Sequence, residues 1–242
     1  FLEKYKKMKK KIIITGGQGK FASYFKKFSK NYNIQFPGKK KLNVLNKLTL
    51  SRYLNKNKPD YLIHNAALSR PISIHEIDIV QSINKNIIGT CNVVNECFKR
   101  DIKLIYFSSN YVYPCEKGNY KESSPLLPKN NYAWSKLGGE CAVQMYKNSL
   151  ILRLSITEKP FKYKKAYTNI KSSFLYHPEA AAIVVKLIDE KGIINVGGKN
   201  QSIFQFAKEK NKHVVPTRYN NKDYKFPKNS TLNLLKLKKI IK

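Results

Sequence analysis

The chain has 242 residues, 42% of them hydrophobic and 12% aromatic, which suits one well-buried α/β domain with a small appendage and excludes a disordered polymer. Its 47 Lys and Arg against 15 Asp and Glu give a formal charge of +32, a balance that favours polyanionic ligands such as nucleotides. The lysines are spread along the whole chain among many Asn, Ile and Tyr, as an A+T-rich coding sequence gives, so the charge does not single out a nucleic-acid-binding arm.

Cys91, Cys97, Cys115 and Cys141 form no Cys-x-x-Cys pair, and His64, His75, His177 and His213 are scattered. Both facts argue against a metal site or a disulfide framework and for reduced thiols. No apolar run approaches the roughly 20 residues of a membrane span, and the stretch from Phe1 to Lys11 is basic without the apolar centre of a signal peptide. The expectation is a cytoplasmic protein with no membrane partner, and Met8 is a candidate native start.

Lys11 to Thr15 reads as a buried parallel strand, a β-branched run ended by glycine. Gly16-Gly17-Gln18-Gly19-Lys20-Phe21-Ala22 follows, and Ser23 to Ser29 has helical spacing. In the order strand, Gly-rich turn, helix, such glycines mean phosphate binding: Gly16 permits the turn, Gly19 lets backbone approach a pyrophosphate, and the small Ala22 lets helix pack on strand. Asn33 to Phe36 is the expected second strand. The position that would hold an acidic residue for the ribose of NAD is occupied here by Gly38-Lys39-Lys40-Lys41, and no Asp or Glu occurs between Glu3 and Asp60. NADP(H) is therefore favoured over NAD(H), with Lys39 as a phosphate ligand. Leu42-Asn43-Val44 would pass beside the adenine, before a helix over Leu48 to Leu54.

Asp60 to Ala67 is a third apolar strand, and Ala66 and Ala67 leave room at its carboxyl end for a ligand crossing the sheet edge. His64 reads as a packed strand histidine. Arg70 and His75, in the following loop, are candidate substrate-side groups. A long helix is expected from about Ile77 to Arg100, with Gly89 in its interior marking close packing. Ile102 to Ser109 is the next strand, and its polar end places Ser108 and Ser109 at the crevice where ligands bind. Ser109 is suited to donate a hydrogen bond to a substrate carbonyl and Ser108 to steady the loop. The loop from Asn110 to Asn131 is long enough to be functional or mobile.

Tyr132-Ala133-Trp134-Ser135-Lys136 opens a helix to Tyr146. Tyrosine and lysine four apart share a helix face, and an ammonium beside a phenol is expected to pull the Tyr132 pKa down towards working pH. Gly138-Gly139 allow close approach, and Glu140 follows. Ser149 to Ser155 is a buried strand whose Arg153 needs an anionic partner, either a substrate phosphate or a structural carboxylate such as Glu140. Beyond it come a basic loop over Lys159 to Lys171, a helix after Pro178, an apolar run from Gly192, a short helix over Ser202 to Lys210 and a basic terminal helix from Leu232.

Five ordered segments, Thr15 to Ala22, Asn65-Ala66-Ala67, Asn86-Ile87-Ile88-Gly89-Thr90, Phe107 to Tyr113 and Tyr132 to Lys136, resemble the extended short-chain dehydrogenase/reductase family. The Ser-Ser-Asn-Tyr-Val-Tyr and Tyr-Ala-Trp-Ser-Lys-Leu-Gly-Gly-Glu segments most resemble its dTDP-4-dehydrorhamnose reductase branch, which acts on nucleotide-linked sugars. The resemblance implies a Rossmann-type doubly wound parallel sheet, with residues 9–155 as the dinucleotide-binding domain and 156–242 as a small substrate-binding cap interleaved with it. It implies catalysis by Ser109, Tyr132 and Lys136. Cofactor contacts would come from Gly16, Gly19, Lys20, Phe21, Ala22, Lys39, Asn43, Val44, Ala66, Ala67, Asn86, Ser108, Tyr132 and Lys136, and substrate contacts from Arg70, Asn110 and Arg153. NADPH would reduce a 4-keto-6-deoxy sugar nucleotide, Tyr132 protonating the alkoxide and Ser109 polarising the carbonyl. The chain departs from relatives in Asn43, where they often have Asp, and in its short stretch after Ser155.

An epimerase or dehydratase of the same superfamily is the first alternative; Lys39-Lys40-Lys41 argue against tightly held NAD, and Asn110 stands where dehydratases usually place an acid. A non-catalytic NADP-binding regulatory subunit is the second, and nucleic-acid binding the third. The identity of the sugar and the oligomeric state stay open, a homodimer included.

Overall fold

The computed structural model describes residues 9–220 and 226–242; the candidate start Met8 lies outside them. Five strands alternate with helices in the first part: β1 (Lys11–Thr15), α1 (Lys20–Phe28), β2 (Asn33–Gln35), α2 (Lys47–Asn57), β3 (Tyr61–His64), α3 (Ile74–Ile77), α4 (Ile79–Ser82), α5 (Gly89–Phe98), β4 (Lys103–Ser109), α6 (Asn131–Gln144) and β5 (Ser149–Leu154). Four short strands follow, β6 (Ile156–Thr157), β7 (Lys165–Tyr167), β8 (Lys171–Ser172) and β9 (Leu175–Tyr176). Then come α7 (His177–Leu187), β10 (Gly192–Val196), β11 (Gln201–Ser202), α8 (Ile203–Lys208), β12 (Val215–Thr217) and α9 (Leu235–Ile240). No described helix is long and apolar enough to cross a membrane.

The main sheet has the order β2-β1-β3-β4-β5-β10, and every pairing in it is parallel. Such strands are covered on both faces, which is why they read as continuous apolar runs. Side chains leave a strand alternately. Ile12 and Ile14 join Phe21, Phe25, Ile63, Ile105, Ala181 and Val184 on the side of α1 and α7, while Ile13 joins Leu50, Leu54, Leu62, Val93 and Val143 on the side of α2, α5 and α6. This is the doubly wound Rossmann-type fold that the family resemblance implied. The chain begins at β1 in mid-sheet, moves outward to β2 and returns to β3 on the other flank. The crevice between the carboxyl ends of β1 and β3 is therefore the switch point at which such sheets bind ligands.

The residues after β5 serve two bodies. β10 completes the main sheet beside β5 and α7 packs on α1, whereas Phe161, Ala166, Ile170, Tyr176, Phe206 and Val214 form a separate small core. The long helix expected over residues 77–100 is interrupted. Asp78 leaves the helical conformation at φ −127°, ψ 81°, and its side chain accepts from the Gln81 backbone N–H at 2.8 Å, starting α4 afresh. Ile83–Ile88 is then a π-helical stretch before α5. The loop before α6, expected to be functional or mobile, is tied to the C-terminal segment: Tyr120 donates its N–H to Thr231 O at 3.1 Å and accepts from Asn233 N at 2.8 Å.

Candidate active site

The site is assembled from the carboxyl ends of four strands. Gly16, directly after β1, has φ +65°, and a Cβ there would lie 3.0 Å from the Ala66 Cα, so the first turn needs glycine twice over. Thr15 Oγ1 accepts the Ala66 N–H at 3.0 Å and holds the end of β3 against that turn. Gly19 is the extended N-cap of α1, and no side chain caps the helix. The free N–H groups of its first turn thus face a cleft of about 600 Å³ lined by Gly16, Gly19, Ala66, Ala67 and the end of β4.

Asn130 caps α6 by accepting the Ala133 N–H at 2.9 Å, which sets the phase that turns Tyr132 and Lys136 into this cleft. Ser109, at the end of β4, lines the cleft beside Tyr132, close enough for its hydroxyl to favour the phenolate, and accepts the Tyr111 N–H at 3.2 Å. The Tyr132 ring stands edge-on between His75, 5.1 Å between centroids, and Tyr111, 6.3 Å. Lys136 is only 4% exposed and rests its Nζ 4.3 Å from the centre of the Tyr106 ring, while the Tyr106 hydroxyl donates to the Lys136 carbonyl at 2.9 Å. A Cβ on Gly139 would lie 2.6 Å from Asn86 O and 2.7 Å from the Tyr106 hydroxyl, so α6 can approach this closely only with glycine there.

The electrostatics correct one expectation. Burial raises the Tyr132 pKa, with the Ser109 hydrogen bond and the Arg70 charge opposing, so in the free protein the phenol is not drawn down by Lys136. Lys136 takes the larger shift: burial lowers it to about 7, with Glu140 opposing. The ammonium rests on an aromatic face and pays the cost of desolvation itself.

Arg153 is a second correction. Its Nη2 lies 2.6 Å from Glu140 Oε1, its Nη1 donates to the Tyr113 hydroxyl at 2.7 Å and to Glu122 O at 2.9 Å, and it is 1% exposed. Of the two partners left open by the sequence, the structural carboxylate holds it, and the substrate contact is withdrawn. Ser108 sits opposite Arg153 in the β4–β5 register and donates to Glu140 Oε2, so it lines the cleft while anchoring the same carboxylate. Asn86 is withdrawn as a cofactor contact: its amide bonds Leu68 N, Leu68 O and Ser135 Oγ and ties the loop after β3 to α6. Ala22, fully buried between α1 and the sheet, is packing. Asn43 accepts the Leu45 N–H, Val44 packs towards Gly89, and neither lines the cleft.

Residues 9–164 match the family described as RmlD substrate binding domain. The chain belongs to that family. Among curated proteins it is 31% identical over 148 residues to methionine adenosyltransferase 2 subunit beta of Xenopus tropicalis, a match covering 55% of this chain and 42% of that one. The chain spans less than half the length of such curated relatives. Among solved structures it superposes on the dTDP-4-dehydrorhamnose reductase of Bacillus anthracis in complex with NADP at TM-score 0.84 and 24% identity, covering 96% of this chain and 91% of that one. The hypothetical dTDP-4-dehydrorhamnose reductase of Sulfolobus tokodaii gives TM-score 0.84 at 25% identity, with 97% and 95% covered.

In this RmlD-family chain the cleft also holds groups that the sequence reading passed over. Gln18 and Tyr111 lie inside segments already singled out, whereas Phe174, Glu158 and His177 come from the far end of the chain and gave no local signal. Lys20, the first residue of α1, is bound to Glu158 Oε2 at 2.7 Å, and Lys162 reaches the same oxygen at 2.5 Å. Arg70 and Asn110 also line the cleft, and the Asn110 amide donates to Ser230 O at 3.0 Å. Lys39 borders the cleft and a second hollow of about 880 Å³, formed by residues 35–41 with Gln18 and Tyr53. Lys40 and Lys41 stand on the rim of that hollow.

Proposed function

We propose that the chain is an NADP(H)-dependent reductase acting on the keto group of a nucleotide-linked 4-keto-6-deoxy sugar. The observation that carries this reading is the convergence of Ser109, Tyr132 and Lys136 on a cleft whose other end is the glycine turn at the N-terminus of α1. A dinucleotide fits the residues present: Gly16 and Gly19 bring bare backbone to the wall of the cleft, and the uncapped N–H groups of α1 suit a diphosphate. Gly16, Gly19, Lys20, Phe21, Ala66 and Ala67 would hold it, with Lys39 and its neighbours facing an adenosine 2′-phosphate. The NADP bound by the Bacillus anthracis protein supports that cofactor.

Bound NADPH supplies the hydride. Ser109 donates a hydrogen bond towards the carbonyl oxygen, Tyr132 delivers the proton that the developing alkoxide takes up, and Lys136 stabilises the phenolate left behind. Arg70, Asn110 and Tyr111 would position the sugar, and the small core around Phe161 and Phe206 would serve as the substrate cap. The test is a stopped assay with NADPH and a dTDP-linked 4-keto-6-deoxyhexose. Consumption of NADPH with formation of the 4-hydroxy sugar supports the reading; no turnover across dTDP-, UDP- and GDP-linked keto sugars would sink it.

A second reading, a non-catalytic dinucleotide-binding subunit, is favoured by the similarity to methionine adenosyltransferase 2 subunit beta. It predicts saturable NADPH binding with no keto-sugar reduction by any panel member.

A further inference from the structure

Lys20 is the first residue of α1, where the helix dipole is positive, and the first turn contains no acidic residue. A cation there is unfavourable unless an anion stands beside it. Glu158, from the segment after β6, is that anion, and among the described residues lining the cleft it is the single carboxylate. Its carboxylate is mostly buried, at 15% exposure, and one oxygen is shared between Lys20 and Lys162. Burial pushes the Glu158 carboxyl up, but the hydrogen bonds and charges of Lys162 and Lys20 bring it down to about 2, so it is an anion throughout the working range. Two anions therefore have a claim on one ammonium: the carboxylate of Glu158 and, on the reading given above, the diphosphate of the dinucleotide at the same helix end.

We propose that Lys20 exchanges Glu158 for the cofactor diphosphate, so that the Glu158–Lys20 ion pair weakens dinucleotide binding and Lys162, by holding Glu158, relieves that competition. The inference rests on the dinucleotide reading for its ligand and goes beyond it in making Glu158 and Lys162 determinants of affinity with opposite signs. No group needs to change its charge. On binding, Lys20 leaves one anion for another while Glu158 stays paired to Lys162.

The test is a binding cycle, read by NADPH fluorescence and by calorimetry with inorganic pyrophosphate, with circular dichroism to confirm folding. Glu158→Gln is expected to tighten NADPH roughly fivefold, the ratio appropriate to an ion pair of this exposure. Lys162→Gln is expected to weaken it by a similar factor. In a Lys20→Gln background the Glu158→Gln effect should vanish. If Glu158→Gln and Lys162→Gln shift affinity in the same direction, the Glu158 ion pairs are only structural and the exchange is wrong. If the Glu158→Gln effect persists without Lys20, a general field rather than a shared ammonium is responsible, and the exchange is again wrong. Pyrophosphate separates the two levels: should no variant bind NADPH while pyrophosphate follows the cycle, the dinucleotide reading falls and the exchange stands. Failure of both ligands to bind overturns both.

Discussion

Glu140 and Arg153 form a fully buried ion pair, 2.6 Å between Oε1 and Nη2, one helical turn beyond Lys136 on the same face of α6. Both charges are otherwise satisfied: Ser108 donates to the other carboxylate oxygen, and Tyr113 and Glu122 take the remaining guanidinium hydrogens. Removing one partner leaves an uncompensated charge in the interior, which costs about 3–5 kcal/mol, whereas replacing both by apolar residues of similar volume costs far less. Arg153→Met alone should therefore be severely destabilised in urea unfolding, and Arg153→Met with Glu140→Leu should recover much of the loss. Additive losses in the double variant would show that the two charges are not coupled.

The site proposed for catalysis makes a sharper claim about Tyr132. Its ring is fixed edge-on between His75 and Tyr111, so Tyr132→Phe keeps the packing and removes only the hydroxyl. Loss of a positioned proton donor is worth about 10²–10⁴ in rate. The variant should bind NADPH like the parent in fluorescence titration and lose turnover by that factor; unchanged turnover would remove Tyr132 from the reaction.

Lys136 offers a prediction about pH. Its folded value of about 7 lies below its ordinary 10.5, so between these limits the unfolded chain holds more protons on this residue. The stability contributed by Lys136 is therefore least below about pH 7 and rises with pH across the window up to 10.5. Lys136→Met, which has no proton to lose, should melt higher than the parent at pH 7, and the difference should shrink as the pH is raised to 10. A difference in melting temperature independent of pH would mean that the buried amine is not depressed.

Much of this site was legible because its signals are local. The Gly16–Ala22 turn follows its strand without a gap, and Tyr132 and Lys136 meet through helical spacing alone, so neither required knowledge of the tertiary fold. Arg153 could not be assigned from the sequence, because its partner depends on which face of β5 meets α6. The Tyr132 pKa was expected to move the wrong way for a related reason: spacing places Lys136 on the same helix face but says nothing of Tyr106, whose ring receives the ammonium. The interruption of the helix over residues 77–100 was half visible, since Asp78 is an ordinary N-cap residue, while the π-helical stretch after it has no comparable sequence signature. Glu158 gave no signal at all, since its pairing with Lys20 exists only once α1 and the segment after β6 are brought together.

Lys39 tests the cofactor preference. It borders both the main cleft and the hollow formed by residues 35–41, and its side chain lies in the exposed rim. Among the described residues none that lines that hollow is acidic, so an adenosine 2′-phosphate there would meet cations and neutral groups, whereas the 2′-hydroxyl of NADH would find no carboxylate among them to accept from it. A hydrogen bond to a charged group is worth about 1.5–3 kcal/mol, which corresponds to roughly 10- to 100-fold in affinity. Because Lys40 and Lys41 remain to share the load, Lys39→Ala should fall at the lower end for NADPH and leave NADH binding unchanged. Lys39→Asp should go further, introducing the missing carboxylate and reversing the preference. Equal losses for the two cofactors in Lys39→Ala would mean that this side chain does not read the 2′-phosphate.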